Sequence, residues 1–362
     1  MPIGPSPGLA SELEHVRHEY ESSLSWRVTR PLRAARRLVR TARGSRRVLP
    51  EVAPPPSVAA GRYDSWLEQV HGERLRRIDT ACRDGGPEAL ALFRELDGDL
   101  WALLLTQEYS CFPNIRALLP SVPDPALQEL WNGASGLALA AQSLAFYERL
   151  RARYGEHSEV PLEASRVLDF GCGWGRLTRF LARDVPPGRL YGCDPVDGIL
   201  DVCRECRVPA TLARSEFIPE RLPFDEPFDL AFAFSVFTHL SDEAAATCLR
   251  ALHRALRPGA ILIATVRPPE YLWLDGAMHG VLAGLGDDHQ ARLAEPRHLF
   301  VPHAFDPAHP QQAGGGTSYG EAVVTLAQVR ERWSEWFELV AADVQVADLF
   351  QVVLTLRRAP SP

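Results

Sequence analysis

A glycine-rich segment near the middle of the chain constrains the fold more than any other feature of the sequence. It reads Val167-Leu-Asp-Phe-Gly-Cys-Gly-Trp-Gly-Arg-Leu-Thr-Arg-Phe-Leu181. A short apolar run leads into Gly171-x-Gly173-x-Gly175, and a helical pattern follows. Glycine lets the backbone turn sharply and a ligand approach closely, and the first turn of a helix offers unpaired N–H donors. The segment therefore predicts a strand–turn–helix unit that binds a ligand at its turn.

Two acidic residues at predicted strand ends narrow the class of ligand. Asp169 ends the first strand, and Asp194 ends the second, 19 residues after Gly175. A carboxylate at 169 would repel a pyrophosphate and pair with an ammonium group, and one at 194 can accept both hydroxyls of a ribose. The dinucleotide fingerprint also requires glycine at position 176, where this chain has Arg176. These residues argue against a nicotinamide-dependent oxidoreductase, which is the second enzymatic interpretation.

From about residue 165 onward, short apolar runs alternate with helical stretches, which is the pattern of a parallel sheet flanked by helices. Strands are predicted at 166–169, 189–194, 210–212, 228–234 and 260–266. Helices are predicted at 242–256 and 326–336. A last pair of strands, 337–346 and 349–356, is joined by a connection too short for a crossover, so an antiparallel hairpin is predicted at the sheet edge.

The first 155 residues have a different character. Residues 1–60 are predicted to form a basic helical arm and a proline-rich linker, and residues 61–155 a helical cover for the domain at 156–362. Within the cover, helices are predicted at 63–83, 87–105, 124–131 and 135–153. Residues 1–50 carry ten Arg and four Glu, a net charge of +6, although the whole chain has a net charge of −7. A basic arm on an acidic body indicates an anionic partner for the arm.

Four motifs in order resemble those of class I S-adenosylmethionine-dependent methyltransferases. They are the run 169–175, the second strand that ends in Asp194, the segment 228–240 and the segment 256–264. The resemblance implies an α/β fold with a Rossmann-like, seven-stranded, mostly parallel sheet, an antiparallel final hairpin and a helical region before it. It also implies S-adenosylmethionine as the cofactor and methyl transfer as the reaction. A non-catalytic module of the same fold, which scaffolds a glycan-assembly complex, is the alternative from another class.

The resemblance also implies roles for individual residues. Asp169 would face the amino end of the cofactor, and Asp194 would hold its ribose. The other implied cofactor contacts are Phe170, Gly171, Cys172, Gly173 and Gly175 along the methionine part, Pro195 and Val196 beside the adenine, and Phe234 and Ser235 at the end of the fourth strand. Glu216 is the candidate for an acid that meets the adenine amino group, although the motif that usually carries this acid is not evident.

A hydroxyl acceptor is a poor nucleophile until its proton is removed, so a general base is sought. His239 is the only histidine inside a matched motif, and it follows the fourth strand at the sheet edge where such folds bind ligands. It is the candidate base, and capping of the next helix or packing beside the cofactor is the alternative.

Trp131 and Tyr319 are predicted substrate contacts. Trp131 and Tyr147 lie where this family often covers its cofactor, with plain helix packing as the alternative.

Lysine chemistry and metal binding are not predicted. All 39 basic side chains are arginine, which excludes a Schiff-base lysine. Cys203-x-x-Cys206 has no second pair of Cys or His nearby, as a zinc site requires. The insertion at 270–320 contains His298, His303, Asp306 and His309. Their irregular spacing favours a polar substrate loop over a metal site.

The acceptor is indicated only by the segment 25–33, Ser-Trp-Arg-Val-Thr-Arg-Pro-Leu-Arg. It resembles a short element of bacterial glycosyltransferases and methyltransferases of cell-surface polysaccharide synthesis. This implies O-methylation of a sugar or glycan precursor and peripheral contact of the arm with the inner membrane face. A solvated basic helix or an oligomer contact is the alternative, and nucleic acid is not expected because the body is acidic.

Without a visible secretory signal or an apolar run of about 18 residues, the predicted location is the cytoplasm.

Overall fold

The structure is a computed structural model that describes residues 61, 63–83, 87–302 and 319–359. The basic arm predicted at 1–60 lies outside the described residues, and so do His303, Asp306 and His309. Within the described residues, no helix is both long enough and apolar enough to cross a membrane.

A seven-stranded sheet forms the centre of the described part. The strands are β1 (Val167–Phe170), β2 (Leu190–Asp194), β3 (Thr211–Arg214), β4 (Phe228–Ala233), β5 (Leu256–Val266), β6 (His298–Pro302), β7 (Gly320–Val324), β8 (Phe337–Gln345) and β9 (Asp348–Arg358). All except β6 and β7 join one sheet in the order β3-β2-β1-β4-β5-β9-β8. Strands β1 to β5 are parallel, and β9 and β8 are antiparallel to their neighbours. This topology confirms the predicted fold class, including the final hairpin.

The strand order indicates where a ligand would bind. Strand β1 lies between β2 and β4, so the chain leaves β1 toward one side of the sheet first and returns to its other side later. In open α/β sheets, ligands bind at the carboxyl ends of the strands where the order reverses. The carboxyl ends of β1, β2 and β4 therefore form the candidate cleft, and the first residues of the antiparallel β9 reach the same edge beside the end of β5.

The helices before the sheet follow the predicted pattern, with one interruption. The helices are α1 (Asp64–Arg83), α2 (Pro87–Arg94), α3 (Gly98–Thr106), α4 (Pro113–Leu118), α5 (Pro125–Asn132), α6 (Gly136–His157), α7 (Asp197–Glu205), α8 (Asp242–Ala255), α9 (Tyr271–Leu274), α10 (His279–Gly284), α11 (His289–Ala294) and α12 (Leu326–Arg332). One helix was predicted over 87–105, but two are present. Asp97 ends the first stretch because its side chain accepts the N–H of Leu100 and caps α3.

The prediction of a regular α-helix directly after the glycine turn is wrong. Residues 174–177 form turns, and Thr178–Arg183 form a short 3-10 helix. The buried guanidinium of Arg179 donates to the carbonyl of Trp174 at 3.2 Å, which a regular helix would use, and shares the carbonyl of Gly175 with its own backbone N–H, at 3.0 and 3.3 Å. The dipole of a long helix is therefore not available at this turn, and ligand binding falls to the loop backbone and the neighbouring carboxylates.

Strand β5 begins earlier than predicted. The sequence placed its first residue at 260, but Leu256 already pairs with Phe228 and α8 ends at Ala255. Leu256 is buried, and Arg257 pairs with the buried Asp229 at 2.5 Å. These two contacts extend the sheet across the Pro-Gly pair that was expected to separate helix from strand.

The segment between β5 and α12 adds a second sheet that the sequence did not predict. Strands β6 and β7 pair antiparallel. Isolated bridges join this segment to the residues that follow β4 and β5, Leu240 with Tyr319 and Arg267 with Val323. The insertion therefore lies against the carboxyl edge of the main sheet, where the candidate site is.

Each face of the sheet packs on a different group of helices. Val167, Leu230 and Ile261 share one apolar cluster with side chains from α1 to α4 and α6, such as Trp101 and Phe146. The alternate positions of the same strands share a second cluster with α8 and α12. This alternation follows from the two-residue period of a strand. The residues at 61–155 thus contribute to the same core as the sheet, and the predicted domain boundaries stay predictions.

Candidate active site

Three glycines form the floor of the cleft at the end of β1. All three have positive φ, +76° at Gly171, +52° at Gly173 and +72° at Gly175. A Cβ on Gly171 would lie 2.5 Å from Cγ2 of Val236, and one on Gly175 would lie 2.7 Å from Cγ2 of Val208. At Gly171 and Gly175 a side chain fits neither the backbone conformation nor the space, and at Gly173 the positive φ alone favours glycine.

The loop is hydrogen-bonded to the end of β2. The N–H groups of Gly171 and Cys172 both donate to the carbonyl of Cys193, at 2.9 and 3.0 Å. The Sγ of Cys172 lies under the loop, 3.1 Å from the position that a Cβ on Gly192 would take. Phe170 is buried in the sheet core. Phe170 and Cys172 therefore border the cleft through their backbone, and their side chains pack beneath it.

Asp194 joins the loop to the second strand. Its Oδ2 accepts the N–H of Gly173 at 3.0 Å, and its Oδ1 accepts the N–H of Val196 at 3.0 Å. Burial raises the pKa of Asp194 to about 6, although these two N–H donors act in the opposite direction. A buried carboxyl of this kind gains from further hydrogen-bond donors such as ribose hydroxyls. Pro195 and Val196 follow it, half-buried, at the start of α7.

Asp169 is the second buried carboxyl of the cleft. Its Oδ2 accepts the hydroxyl of Thr178 at 2.5 Å. Burial raises the pKa of Asp169 to about 7, the Thr178 hydroxyl opposes the rise and the nearby Asp194 adds to it. A carboxylate that has lost its water is stabilised most by a cationic partner. The pair of acids therefore favours a ligand that carries positive charge next to a diol.

A strained turn follows β4 and faces the glycine loop. Ser235 has φ +61°, which is uncommon for a residue with a side chain. Its N–H donates to Oγ1 of Thr265 at 2.7 Å, and its hydroxyl lies 3.2 Å from Oγ1 of Thr238. The ring of the preceding Phe234 lies under the guanidinium of Arg176, 4.6 Å from Cζ to the ring centre. The structure thus brings Phe234 and Ser235 to the edge of the cleft.

Helix α5 places Trp131 over the loop. The ring of Trp131 lies 4.0 Å from the position that a Cβ on Gly173 would take. Its Nε1 is buried and has no hydrogen-bond partner among the described residues. The neighbouring Asn132 accepts the indole N–H of Trp174 at 2.8 Å. Trp131 therefore lies beside the glycine loop, and its role as a cover over the cofactor stays a prediction.

Tyr147 does not cover the cleft. Its hydroxyl donates to Asp184 and accepts from Arg183, and its ring packs on Phe180 at 5.6 Å. Helix packing, the other sequence alternative, describes this residue.

His239 and Tyr319, which the sequence suggested separately, are in contact. Their rings are stacked with centres 5.2 Å apart and planes inclined by 19°. The Nδ1 of His239 lies 2.8 Å from the carbonyl oxygen of Gly320 and 3.9 Å from Oε1 of Glu321. The side chain that caps α8 is Ser241, so His239 has no part in capping. Strand β7 thus fixes the orientation of the imidazole.

A buried ion pair lies beside this histidine. Arg267 follows β5 directly, and its guanidinium pairs with Glu321 of β7 and donates to the carbonyl of Thr238. Its Cζ also lies 4.6 Å from the centre of the Tyr271 ring. Arg267 and Glu321 are about 90% buried, so each neutralises the other in a region of low dielectric constant.

Other candidate residues lie farther from the floor. Glu216 is exposed, two residues after the end of β3, and its contact with an adenine stays a prediction. His298 in β6 packs against the chain after β4, with Nε2 2.9 Å from the carbonyl oxygen of Leu240. Cys203 and Cys206 are free, buried thiols.

Some polar residues at this edge were not predicted. Arg267 could have been found, because it directly follows a predicted strand at the same edge as His239. Thr178 lies in the matched segment but has no role there without the three-dimensional structure. Glu321, Asp348 and Gln351 lie in no motif, and only the packing of the insertion and the final hairpin brings them here.

The residues of the cleft fit S-adenosylmethionine. The three glycines let the loop backbone take the positive φ values that border the cleft, and Trp131 presents a buried N–H with no partner among the described residues. Asp169 and Asp194 suit an ammonium group and a ribose diol. The residues that would hold the cofactor are therefore those implied by the sequence, together with Trp131.

Comparison with known proteins agrees with this geometry. Residues 167–259 match the family described as a methyltransferase domain. This segment, which contains the glycine loop and both acids, is therefore similar to methyltransferase domains. A trans-aconitate 2-methyltransferase of Azoarcus sp. (strain BH72) is 35% identical over 173 residues, which cover 43% of this chain and 64% of that protein. An uncharacterized methyltransferase of Schizosaccharomyces pombe is 32% identical over 127 residues, which cover 30% and 45%.

The chain thus spans about half to two thirds of the length of these relatives. Among solved structures, the magnesium protoporphyrin IX methyltransferase of Synechocystis PCC 6803 is similar with a TM-score of 0.41 and 16% identity. That similarity covers 61% of this chain and 86% of the other.

Replacing Gly171 with alanine is expected to weaken binding of S-adenosylhomocysteine, the demethylated cofactor, by tenfold or more. The new Cβ would adopt a disfavoured φ and also collide with Val236. Gly259 is the matched control, because its φ is also +76° but a Cβ there meets nothing within 4 Å. Calorimetric titration of both variants measures the loss of binding, and thermal unfolding measures any loss of stability. Wild-type affinity in Gly171→Ala would show that this loop is not the cofactor floor.

Proposed function

We propose that the chain is an S-adenosylmethionine-dependent methyltransferase that methylates a hydroxyl oxygen of a small-molecule acceptor, with His239 as the general base. The observation that carries the proposal is the contact between Nδ1 of His239 and the carbonyl oxygen of Gly320 at 2.8 Å. This contact lies at the carboxyl edge of β4, next to the turn at Ser235.

The Gly320 carbonyl determines which imidazole nitrogen can act as a base. A carbonyl oxygen only accepts hydrogen bonds, so Nδ1 of His239 must carry the proton. The lone pair of the neutral ring is then on Nε2, the nitrogen that would remove a proton from an acceptor hydroxyl. Glu321 lies 3.9 Å from Nδ1, but its charge is paired with Arg267, so the Gly320 carbonyl would be the main partner of the imidazolium that results.

When bound, the cofactor supplies an electrophilic methyl group, which passes to the acceptor oxygen as the carbon–sulfur bond breaks. The residues of this chain contribute position and proton transfer. Asp169, Asp194 and the glycine floor orient the bound molecule, and Trp131 covers it. Alignment of this kind accounts for much of the rate of a displacement reaction.

The charges at the site favour a neutral acceptor over a tricarboxylate. The relatives named trans-aconitate 2-methyltransferases suggest a carboxylate acceptor. Such an acceptor needs cations, but Arg267 and Arg176, which lie at this edge of the sheet, are engaged, Arg267 with Glu321 and Arg176 with Gln142 and Ser143. A sugar hydroxyl instead needs a base, which His239 provides. The resemblance of segment 25–33 supports the same acceptor class and a membrane-associated arm.

Turnover with a panel of acceptors tests the proposal. The full chain is incubated with S-adenosylmethionine and monosaccharides, nucleotide sugars or trans-aconitate, and S-adenosylhomocysteine is measured. We expect methylation of a hydroxyl acceptor, which mass spectrometry would identify. Turnover of trans-aconitate alone would favour the carboxylate reaction, since a carboxylate needs no base. Cofactor binding without turnover of any acceptor would favour the scaffold alternative.

A further inference from the structure

A row of hydrogen-bonded side chains, Thr265, Gln351 and Asp348, supports the strained turn at Ser235. The Ser235 N–H donates to Oγ1 of Thr265 at 2.7 Å. The Thr265 hydroxyl donates in turn to Oε1 of Gln351 at 2.6 Å, and Nε2 of Gln351 donates to Oδ2 of Asp348 at 3.0 Å. Thr265 is fully buried, so this row connects β9 to the turn after β4 through the interior of the sheet edge.

The same row continues to the cover helix α6. Nε2 of Gln142 donates to Oδ2 of Asp348 at 3.0 Å, and Oε1 of Gln142 accepts from the buried guanidinium of Arg176 at 2.8 Å. Asp348 therefore receives donors from two glutamines, and its Oδ1 receives the N–H of Phe350 at 3.2 Å. The final hairpin, the cover helix and the glycine segment meet at this carboxylate.

Only one orientation of the Gln351 amide satisfies every partner. The oxygen of Thr265 already accepts the Ser235 N–H, so its single proton is directed at Gln351. The Gln351 atom that receives it must be the amide oxygen, which leaves the NH₂ group facing Asp348. The direction of donation is thus determined from one end of the row to the other.

The turn that this row supports shapes the cofactor cleft. A non-glycine residue at positive φ is strained and persists only where its surroundings impose it. Ser235 is such a residue, and the next one, Val236, is the side chain that fills the space above Gly171. A change in the Ser235 turn would therefore move Val236 against the glycine floor.

We infer that Gln351 is a positioning residue for the cofactor, which holds the Ser235 turn through Thr265 and is itself oriented by Asp348. The inference rests on the proposed function, because it assigns the cleft to S-adenosylmethionine. It implies that the final hairpin, which is remote in sequence from the glycine loop, contributes to cofactor affinity without touching the cofactor.

Gln351→Glu tests this inference with almost no change in shape. The introduced carboxylate can accept from Thr265, but it cannot donate to Asp348 and places a second negative charge beside it. At pH 8 we expect S-adenosylhomocysteine to bind about tenfold more weakly than to the wild type in a calorimetric titration. Gln345→Glu is the matched control: Gln345 is buried in the same hairpin and donates to the Ala145 carbonyl of α6 at 2.6 Å, but does not belong to the row.

The pH dependence of this loss distinguishes positioning from a general loss of stability. When the introduced carboxyl takes up a proton, it can again donate to Asp348. The charge of Arg176 acts on Asp348 in both proteins. The ratio of variant to wild-type affinity should therefore approach one as the pH falls to about 5. The ratio of the two affinities is compared because Asp169 and Asp194 titrate in both proteins, so that their effect on binding cancels. The Gln345→Glu ratio should not change with pH.

A second pair of variants covers the case in which Gln351→Glu fails to fold. Thr265→Val removes the acceptor of the Ser235 N–H at nearly constant volume and should also weaken binding about tenfold, whereas Thr265→Ser keeps the hydroxyl and should restore most of the affinity. Wild-type affinity in folded Gln351→Glu or Thr265→Val, or an equal pH-independent loss in Gln345→Glu, would overturn the inference. Failure of the wild type to bind S-adenosylhomocysteine would instead overturn the proposed function.

Discussion

Replacing Asp194 with alanine is expected to weaken S-adenosylhomocysteine binding by at least a hundredfold. A ribose diol would give this buried carboxylate two hydrogen bonds, and bonds to a charged group contribute about 1.5 to 3 kcal/mol each. Two such bonds correspond to a factor of a hundred or more in the dissociation constant. The substitution also frees the N–H groups of Gly173 and Val196, which loosens the loop that forms the floor.

The fold should tolerate this change at neutral pH. Burial raises the pKa of Asp194 to about 6, so the stability that this group contributes is present below about pH 4 and is lost as the pH rises through about 6. At pH 8 the pH-dependent part of this stability is already lost, so the cost of the substitution is that of the two hydrogen bonds from Gly173 and Val196. Asp201→Ala is the control, because Asp201 is exposed on the same α7 helix and pairs only with Arg204 at the surface. An unchanged dissociation constant in Asp194→Ala would remove the cofactor assignment.

Replacing His239 with glutamine should lower kcat for a hydroxyl acceptor by about 10² to 10⁴-fold, the usual contribution of a general base. The dissociation constant of S-adenosylhomocysteine should change by no more than about twofold. Glutamine can still donate to the Gly320 carbonyl, but it loses the stacking on Tyr319 and cannot take up a proton. The expected result is thus a loss of turnover without a loss of cofactor binding.

His253→Gln is the matched control for this experiment. The Nε2 of His253 also faces a backbone carbonyl, that of Ala359 at 3.1 Å, but this histidine lies at the opposite edge of the sheet. Its replacement should leave turnover unchanged. Near wild-type turnover in His239→Gln would end the role of His239 as the base and would leave the carboxylate reaction, which needs none, as the better interpretation.

Much of the fold follows from local patterns in the sequence. The strands β1, β2, β4 and β9 begin and end within a few residues of their predicted positions, because their apolar runs and the glycines and acids that end them are adjacent in the chain. The error after Gly175 has a physical cause that no local pattern reveals. The side chain of Arg179 competes for backbone carbonyls there, and whether it is buried depends on the helices that pack over it.

The contacts between distant segments could not be predicted in the same way. His239 and Tyr319 are 80 residues apart along the chain, and Gln142 and Asp348 are 206 apart. Neither pair belongs to a shared motif. They meet because the insertion and the final hairpin pack on one edge of the sheet, which depends on the complementary shapes of buried surfaces.

The sequence alone therefore determined the class of fold, the glycine floor and the two acids, since each is encoded within a short stretch whose backbone preferences and polarity are local properties. Only the tertiary structure decided which side chains surround that floor, how the imidazole of His239 is oriented and what supports the turn at Ser235. Those features depend on the free energy of packing many distant residues together, and that energy is not a property of any one segment.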